Sequence, residues 1–325
     1  MNDFDALRRI VPSIREATED AIGECAPFAG RELSVARDGV PAPAFWYPIA
    51  SESAPLVIYL HGGGFAFGDC RKSDALMAWT ARAYGVAMLG VNYRLAPEHP
   101  FPSALHDVAD TVEWCADHAA KLGIDPARIY LLGFSAGADL AFASALLLRR
   151  EHSFALAGII AHYPFLDCAT DPQSKGGREI DLPGELTQAF NAWYVSGCDP
   201  ADALLSPVYA KTDEIALLPP CAIVPVVGDS LFDEAKLMAD KLVEAGVPCA
   251  FQGIEGAYHG YIEDAANPAV YAAVEMPETI AARPKNYYAI AGMAYEASLQ
   301  RFFKRLPGIG PFPGFTRGAQ DVPVE

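Results

Sequence analysis

The sequence predicts an α/β fold built on a mostly parallel sheet. Two observations carry this. Short apolar runs of strand length recur along the middle of the chain, and helical stretches lie between them. The runs are 55–60 (PLVIYL), 86–93 (VAMLGVNY), 128–134 (RIYLLGF), 156–163, 221–227 and 249–254. They show little polar alternation, as expected of strands buried on both faces. The intervening helices are read at 73–84, 104–121, 136–150 and 232–245, the last stopped by Gly246. Strand, helix, strand in this order means parallel strands with crossover helices. In such sheets chemistry gathers where strands end and loops begin.

Two regions break the rhythm. Residues 1–30 read as an amphipathic helix. Residues 169–210 start polar and Gly-rich, then turn helical through 186–195. Neither fits as a simple crossover, so both are expected to fold over the sheet edge as a lid. The expected organisation is a cap segment with the first strands (1–45), a core (46–168), a cap insertion (169–210), the continued core (211–306) and a flexible Gly/Pro-rich tail (307–325).

Composition narrows the function. The 325 residues are 52% hydrophobic and 20% charged, enough for a large core. The 24 basic and 41 acidic side chains give a formal charge of −17. That sign argues against nucleic acid and anionic membrane surfaces as partners. It tolerates a neutral small molecule and helps an anionic product to leave. The N-terminus has no apolar core of a signal peptide, and no uncharged run reaches membrane-span length. The seven cysteines form no C-x-x-C pair, so neither zinc nor a disulfide framework is signalled. A reducing, cytoplasmic location and buried thiols are the expectation.

Gly133-Phe-Ser-Ala-Gly137 is G-x-S-x-G, placed between a strand and a helix. In that context the pentapeptide reads as a nucleophile elbow. The turn at Ser135 is sharp enough that a side chain two residues either way would clash. The helix opening at Ala136 aims unpaired N–H groups at a reacting carbonyl. His61-Gly-Gly-Gly64 follows the 55–60 strand. Its glycines let successive amides converge on an oxyanion. A phosphate loop is the competing reading, but no G-x-G-x-x-G or G-x-x-x-x-G-K-[ST] pattern aligns.

A nucleophilic serine needs a base. His259, in Gly256-Ala-Tyr-His-Gly260, follows the last expected strand. His162 also stands near a strand end but comes too early in the chain for the order Ser, acid, His. His61 is expected to brace the glycine loop. His106, His118 and His152 read as helix or surface residues, and His99 lies beside a proline. Asp229, after the 221–227 strand, is the expected orienting carboxylate. Asp233 and Glu234 are its rivals, although acids are favoured in a first helical turn for reasons of the helix dipole alone.

With these motifs in view, the sequence resembles the hormone-sensitive-lipase-like family of microbial esterases and lipases. Four blocks match in order: His61–Gly64, Asn92-Tyr-Arg-Leu-Ala-Pro-Glu-His-Pro-Phe-Pro102 with Asp107 beyond, Gly133–Gly137, and Asp229 with His259. The resemblance implies an α/β-hydrolase fold, with an eight-stranded, mostly parallel sheet, helices on both faces and a helical cap. It also implies Ser135 as nucleophile, Asp229 as acid, His259 as base, and Gly63, Gly64 and Ala136 as oxyanion donors, with no cofactor. The implied activity is hydrolysis of short-chain carboxylic esters. An amidase or peptidase using the same triad is the alternative. A non-catalytic receptor of the same fold is a third, opposed by the presence of His259.

The match has departures. Phe134 stands where the family often has Asp or Thr, and Ala138 where it often has Gly. Residues 263–285 look inserted between the histidine loop and a C-terminal helix expected at 286–304. This segment, with Tyr271 and Met276, is read either as a passive excursion or as a border of the substrate pocket. A third possibility is contact with a second subunit of a homo-oligomer.

Overall fold

A computed structural model describes residues 3–37, 40–177, 184–272 and 286–316 of the chain. Among these residues eight strands form one sheet in the order β1-β2-β4-β3-β5-β6-β7-β8. They are β1 (Arg31–Arg37), β2 (Val40–Tyr47), β3 (Ala54–Leu60), β4 (Ala87–Val91), β5 (Ile124–Phe134), β6 (Gly158–His162), β7 (Cys221–Val224) and β8 (Cys249–Phe251). The β1–β2 and β2–β4 pairs are antiparallel. From β4 to β8 every pair is parallel.

Strand β3 explains why the apolar runs lack alternation. Leu56, Ile58 and Leu60 enter one buried cluster, and Val57 and Tyr59 enter the other. Each strand residue therefore faces a core on one side or the other. One core is built with α3 (Ser103–Asp117), α5 (Ala136–Glu151) and α8 (Phe232–Glu244). The other uses α2 (Asp74–Tyr84) and the C-terminal helix Tyr287–Leu299. Phe134 belongs to this second core. It is fully buried between Tyr59 (5.2 Å) and the ring of His162 (5.0 Å, 10° between planes). An apolar residue beside the nucleophile is thus a packing element, worth about 1.5–3 kcal/mol for burying its ring.

The two irregular regions take their own forms. The N-terminal segment is the helix α1 (Asp3–Gly23), which is tied to the sheet edge by Arg15. Its guanidinium donates to the carbonyls of Ala66 (2.9 Å) and Ala96 (2.6 Å) and pairs with Glu98. In the later region, α6 (Gly184–Val195) buries Thr187, Ala189, Phe190, Trp193 and Tyr194. Residues 178–183 lie outside the described residues, as do 273–285, which carry Met276 and most of the segment read as inserted. That segment begins as two short helices, Tyr261–Ala266 and Pro268–Ala272. The side chain of Tyr271 is also outside the described residues.

Three expectations need correction. The tail, 307–325, is expected to be flexible, but in its described part, 307–316, Phe312 and Phe315 are buried and the Trp79 indole donates to the Gly310 carbonyl; residues 317–325 lie outside the described residues. Two aromatic anchors outweigh the Gly/Pro composition around them. The C-terminal helix ends at Leu299 rather than 304. The thiols were expected to be buried, yet Cys25 and Cys198 are exposed; all seven cysteines are free.

Candidate active site

The elbow is a steric construction. Ser135 joins β5 to α5 with φ 50° and ψ −117°, a region that non-glycine residues avoid. Holding it there costs about 1–3 kcal/mol. The surroundings enforce it: the Ser135 amide donates to the His162 carbonyl (3.0 Å), and its own carbonyl accepts from Ala138 (3.0 Å) and Phe165 (3.2 Å). A Cβ on Gly133 would lie 2.3 Å from the Gly137 carbonyl oxygen, and one on Gly137 would lie 2.2 Å from that of Leu60. Both positions therefore require glycine.

The loop after β8 brings His259 to the serine. Its Nε2 is 2.9 Å from Ser135 Oγ, and its Nδ1 is 2.7 Å from Asp229 Oδ2. The Asp229 side chain is fully buried, and its Oδ1 faces the Leu231 amide at 3.3 Å. A carboxylate on Nδ1 fixes the tautomer in which Nε2 is free to accept the serine proton. The rivals of Asp229 are placed elsewhere. Glu234 accepts from the Leu166 amide (2.6 Å) and from Lys175 Nζ (2.5 Å), so it anchors the segment leading to the cap. Burial raises its pKa to about 7 against the pull of Lys175. Asp233 lies in the first turn of α8.

The other histidines are placed differently. His162 is fully buried, and burial lowers its pKa to about 3. Its Nε2 is 3.1 Å from Ser298 Oγ. His61 is buried too, stacked on Tyr93 at 4.2 Å with Nδ1 2.8 Å from the Gly62 carbonyl. Burial lowers its pKa to about 4. His152 forms a surface pair with Glu113 at 2.9 Å.

The glycine loop is gathered beside Ser135. Gly63 and Gly64 have φ of 121° and 59°, both in the region that favours glycine. The Gly62 amide is already committed, donating to Glu263 Oε1 at 3.1 Å. Ala136 is the first residue of α5, so its N–H has no intrahelical acceptor.

The residues of the Asn92–Pro102 block do not themselves disclose a job, and the family resemblance implies only that the block supports the site; the structure shows how it does so. The Tyr93 hydroxyl donates to the His61 carbonyl (2.7 Å). Asn92 accepts from the Cys70 amide (2.8 Å) and donates to Asp69 (2.9 Å). Arg94 is held by Asp107 through its backbone and guanidinium. The block is a buttress behind the glycine loop. Helix α6 also packs on the glycine loop. The Phe190 ring sits so close to Gly64 that a Cβ there would meet it at 2.2 Å. A Cβ on Gly177 would meet the Ser230 amide at 2.4 Å, which seats the cap segment against the acid's loop. Phe190 and Glu263 were not legible as site residues, because their partners are 126 and 201 positions away (190 − 64; 263 − 62).

Comparison with known proteins agrees with this geometry. A family defined by the α/β-hydrolase fold matches residues 57–263, a span holding Ser135, Asp229, His259 and the glycine loop. The chain belongs to this family. It is 32% identical over 242 residues to the carboxylesterase NlhH of Mycobacterium tuberculosis, covering 71% of this chain and 75% of that protein. It is 28% identical over 266 residues to an arylesterase of Saccharolobus solfataricus, covering 80% and 84%. Among solved structures, a thermostable carboxylesterase from a metagenomic library is 27% identical, covers 82% of this chain and 96% of its own, and superposes with a TM-score of 0.69. A hyperthermophilic esterase from Pyrobaculum calidifontis is also 27% identical, covering 87% and 91%, with a TM-score of 0.66. The resemblance to hormone-sensitive-lipase-like esterases is thereby borne out, and the chain is an ester hydrolase of that kind. Among the described residues no helix is long and apolar enough to cross a membrane.

Proposed function

We propose that the chain hydrolyses short-chain carboxylic esters through an acyl-enzyme on Ser135. The observation that carries this reading is the continuous path from Asp229 Oδ2 through His259 to Ser135 Oγ. His259 Nε2 takes the hydroxyl proton as Oγ attacks the ester carbonyl. The carbonyl oxygen becomes an oxyanion, received by the amides of Gly63, Gly64 and Ala136. One such donor typically contributes about 2.7–4 kcal/mol to the transition state. The imidazolium, stabilised by Asp229, gives its proton to the departing alkoxide. A water molecule, deprotonated by His259, then attacks the acyl-enzyme, and Ser135 regains its proton as the carboxylate leaves. The formal charge of −17 favours that departure.

Two features favour small acyl groups. Phe190 is pressed against Gly64, and Gly177 is packed on the loop of Asp229. Both bring the cap close to the reacting centre. The test is Ser135→Ala with a series of p-nitrophenyl esters. Turnover should vanish in a folded protein, and kcat/KM of the parent should peak at short acyl chains. Near-normal turnover without Ser135 would end the reading, and a peak at long chains would end its size component.

A further inference from the structure

Glu263 is a buried carboxyl beside the site that the mechanism above does not use. It lies four residues after His259, in the helix Tyr261–Ala266. Its Oε1 accepts from the Gly62 amide at 3.1 Å and from the Tyr59 hydroxyl at 3.2 Å. Its Oε2 is 3.5 Å from the Tyr163 hydroxyl. The Tyr59 hydroxyl is itself 2.8 Å from Ser73 Oγ, so the carboxyl sits at the centre of a buried polar network. A Cβ on Gly62 would lie 2.8 Å from Oε2 and 3.4 Å from Ser135 Cβ. The carboxyl therefore lies against the glycine, on the side that Ser135 also approaches.

We propose that Glu263 is a positioning residue of the oxyanion loop: by holding the Gly62 N–H from the helix that follows His259, it sets the Gly63 and Gly64 amides in register with the base. The Gly62 N–H fixes the His61–Gly62 peptide plane, and the His61 ring holds the next plane through the Gly62 carbonyl at 2.8 Å, so the chain enters Gly63 from a backbone held on both sides of Gly62. Because His259 and Glu263 belong to one short stretch, the base and the oxyanion donors are located by the same element. Burial raises the Glu263 pKa; the Gly62 amide, Lys72, Tyr59 and His259 act in the opposite direction. A full negative charge this close to the loop would oppose an oxyanion held by it. The contribution of Glu263 is therefore its reach, not its charge.

This rests on Ser135 being the nucleophile, so the experiment first counts active sites by fluorophosphonate labelling. Three variants separate reach from charge. Glu263→Gln keeps an acceptor at the same distance and can donate to Tyr163. Glu263→Asp keeps the charge but falls short of Gly62. Glu263→Ala removes both. Per labelled site on p-nitrophenyl acetate, Gln should stay close to the parent, while Asp and Ala should lose about 10- to 100-fold in kcat with KM little changed, the scale of a small misplacement near the chemistry. Affinity for a trifluoromethyl ketone, whose adduct places an oxyanion in the same pocket, should fall in parallel. If the Ala protein does not fold, the Gln and Asp pair decides. An active Asp variant beside an inactive Gln variant would overturn the proposal. So would a loss explained wholly by fewer labelled sites, or an unchanged kcat in Asp and Ala. Failure of the parent to label at Ser135 would instead sink the triad reading.

Discussion

The ends of β6 and β8 each bring a histidine near Ser135, and the two surroundings are opposites. At the end of β6, His162 is sealed against Phe134 and Tyr295, with a serine hydroxyl at Nε2. Beyond β8, His259 is 11% exposed, with a carboxylate on one nitrogen and the serine on the other. Burial holds the first ring neutral. The second is placed to gain a proton and keep it for one step. A position near a strand end is thus not enough to make a base. The ring also needs an acid partner and a reacting hydroxyl, one on each nitrogen.

The largest effect should come from exchanging the roles under test. His259→Gln should reduce kcat by about 10⁶-fold, the scale seen when a triad histidine is removed. His162→Phe keeps the stacking against Phe134 and should leave turnover in place. Steady-state kinetics on one small ester check both. A collapse in the His162 variant, with a folded protein, would erase the distinction between the two rings.

A smaller effect sharpens the comparison from the side of the acid. Asp229→Asn keeps the geometry but offers His259 the wrong partner, and should cost about 10⁴ in kcat. Asp233→Asn, in the first turn of α8, should cost little. The reverse ranking would transfer the acid's role to Asp233.

The smallest effect concerns stability. The folded value for His162 is about 3, below the free value of 6.5. Its neutral ring contributes stability that is fully present above pH 6.5. That contribution is lost as the pH falls toward 3, because the unfolded chain binds a proton the native ring refuses. His61, lowered to about 4, acts in the same direction. Thermal unfolding followed from pH 7 to 4.5 should therefore show a shallower fall in Tm for His162→Phe than for the parent, with a residual slope from His61 and other groups. Parallel curves would mean that His162 is not a source of acid sensitivity.

Much of this was legible in the sequence, for physical reasons that differ by region. The parallel strands announced themselves because burial on both faces leaves little room for polar residues. The elbow was legible because its constraint is local: Gly133 and Gly137 lie within two residues of the serine they accommodate. Asp229 and His259 followed from the order of loops along a parallel sheet. Other features depend on distant partners and left no local signature. Glu263 looked like the start of an insertion, although its carboxyl meets Gly62 across the fold. Phe190 looked like one aromatic among several on a helix, yet it closes on Gly64. The Asn92–Pro102 block carries a family signature that implies structural support, but the contact by which it acts, Tyr93 on the His61 carbonyl, left no local sign. The first part of the tail, 307–316, misled because two buried phenylalanines outweigh its composition.

The central claim is that His259 activates Ser135, and covalent labelling tests it most directly. A fluorophosphonate should modify the parent protein once, and peptide mapping should place the adduct on Ser135. The rate of that reaction should collapse in His259→Gln while remaining near the parent's in His162→Phe. Labelling at another residue, or undiminished labelling of Ser135 without His259, would contradict the account.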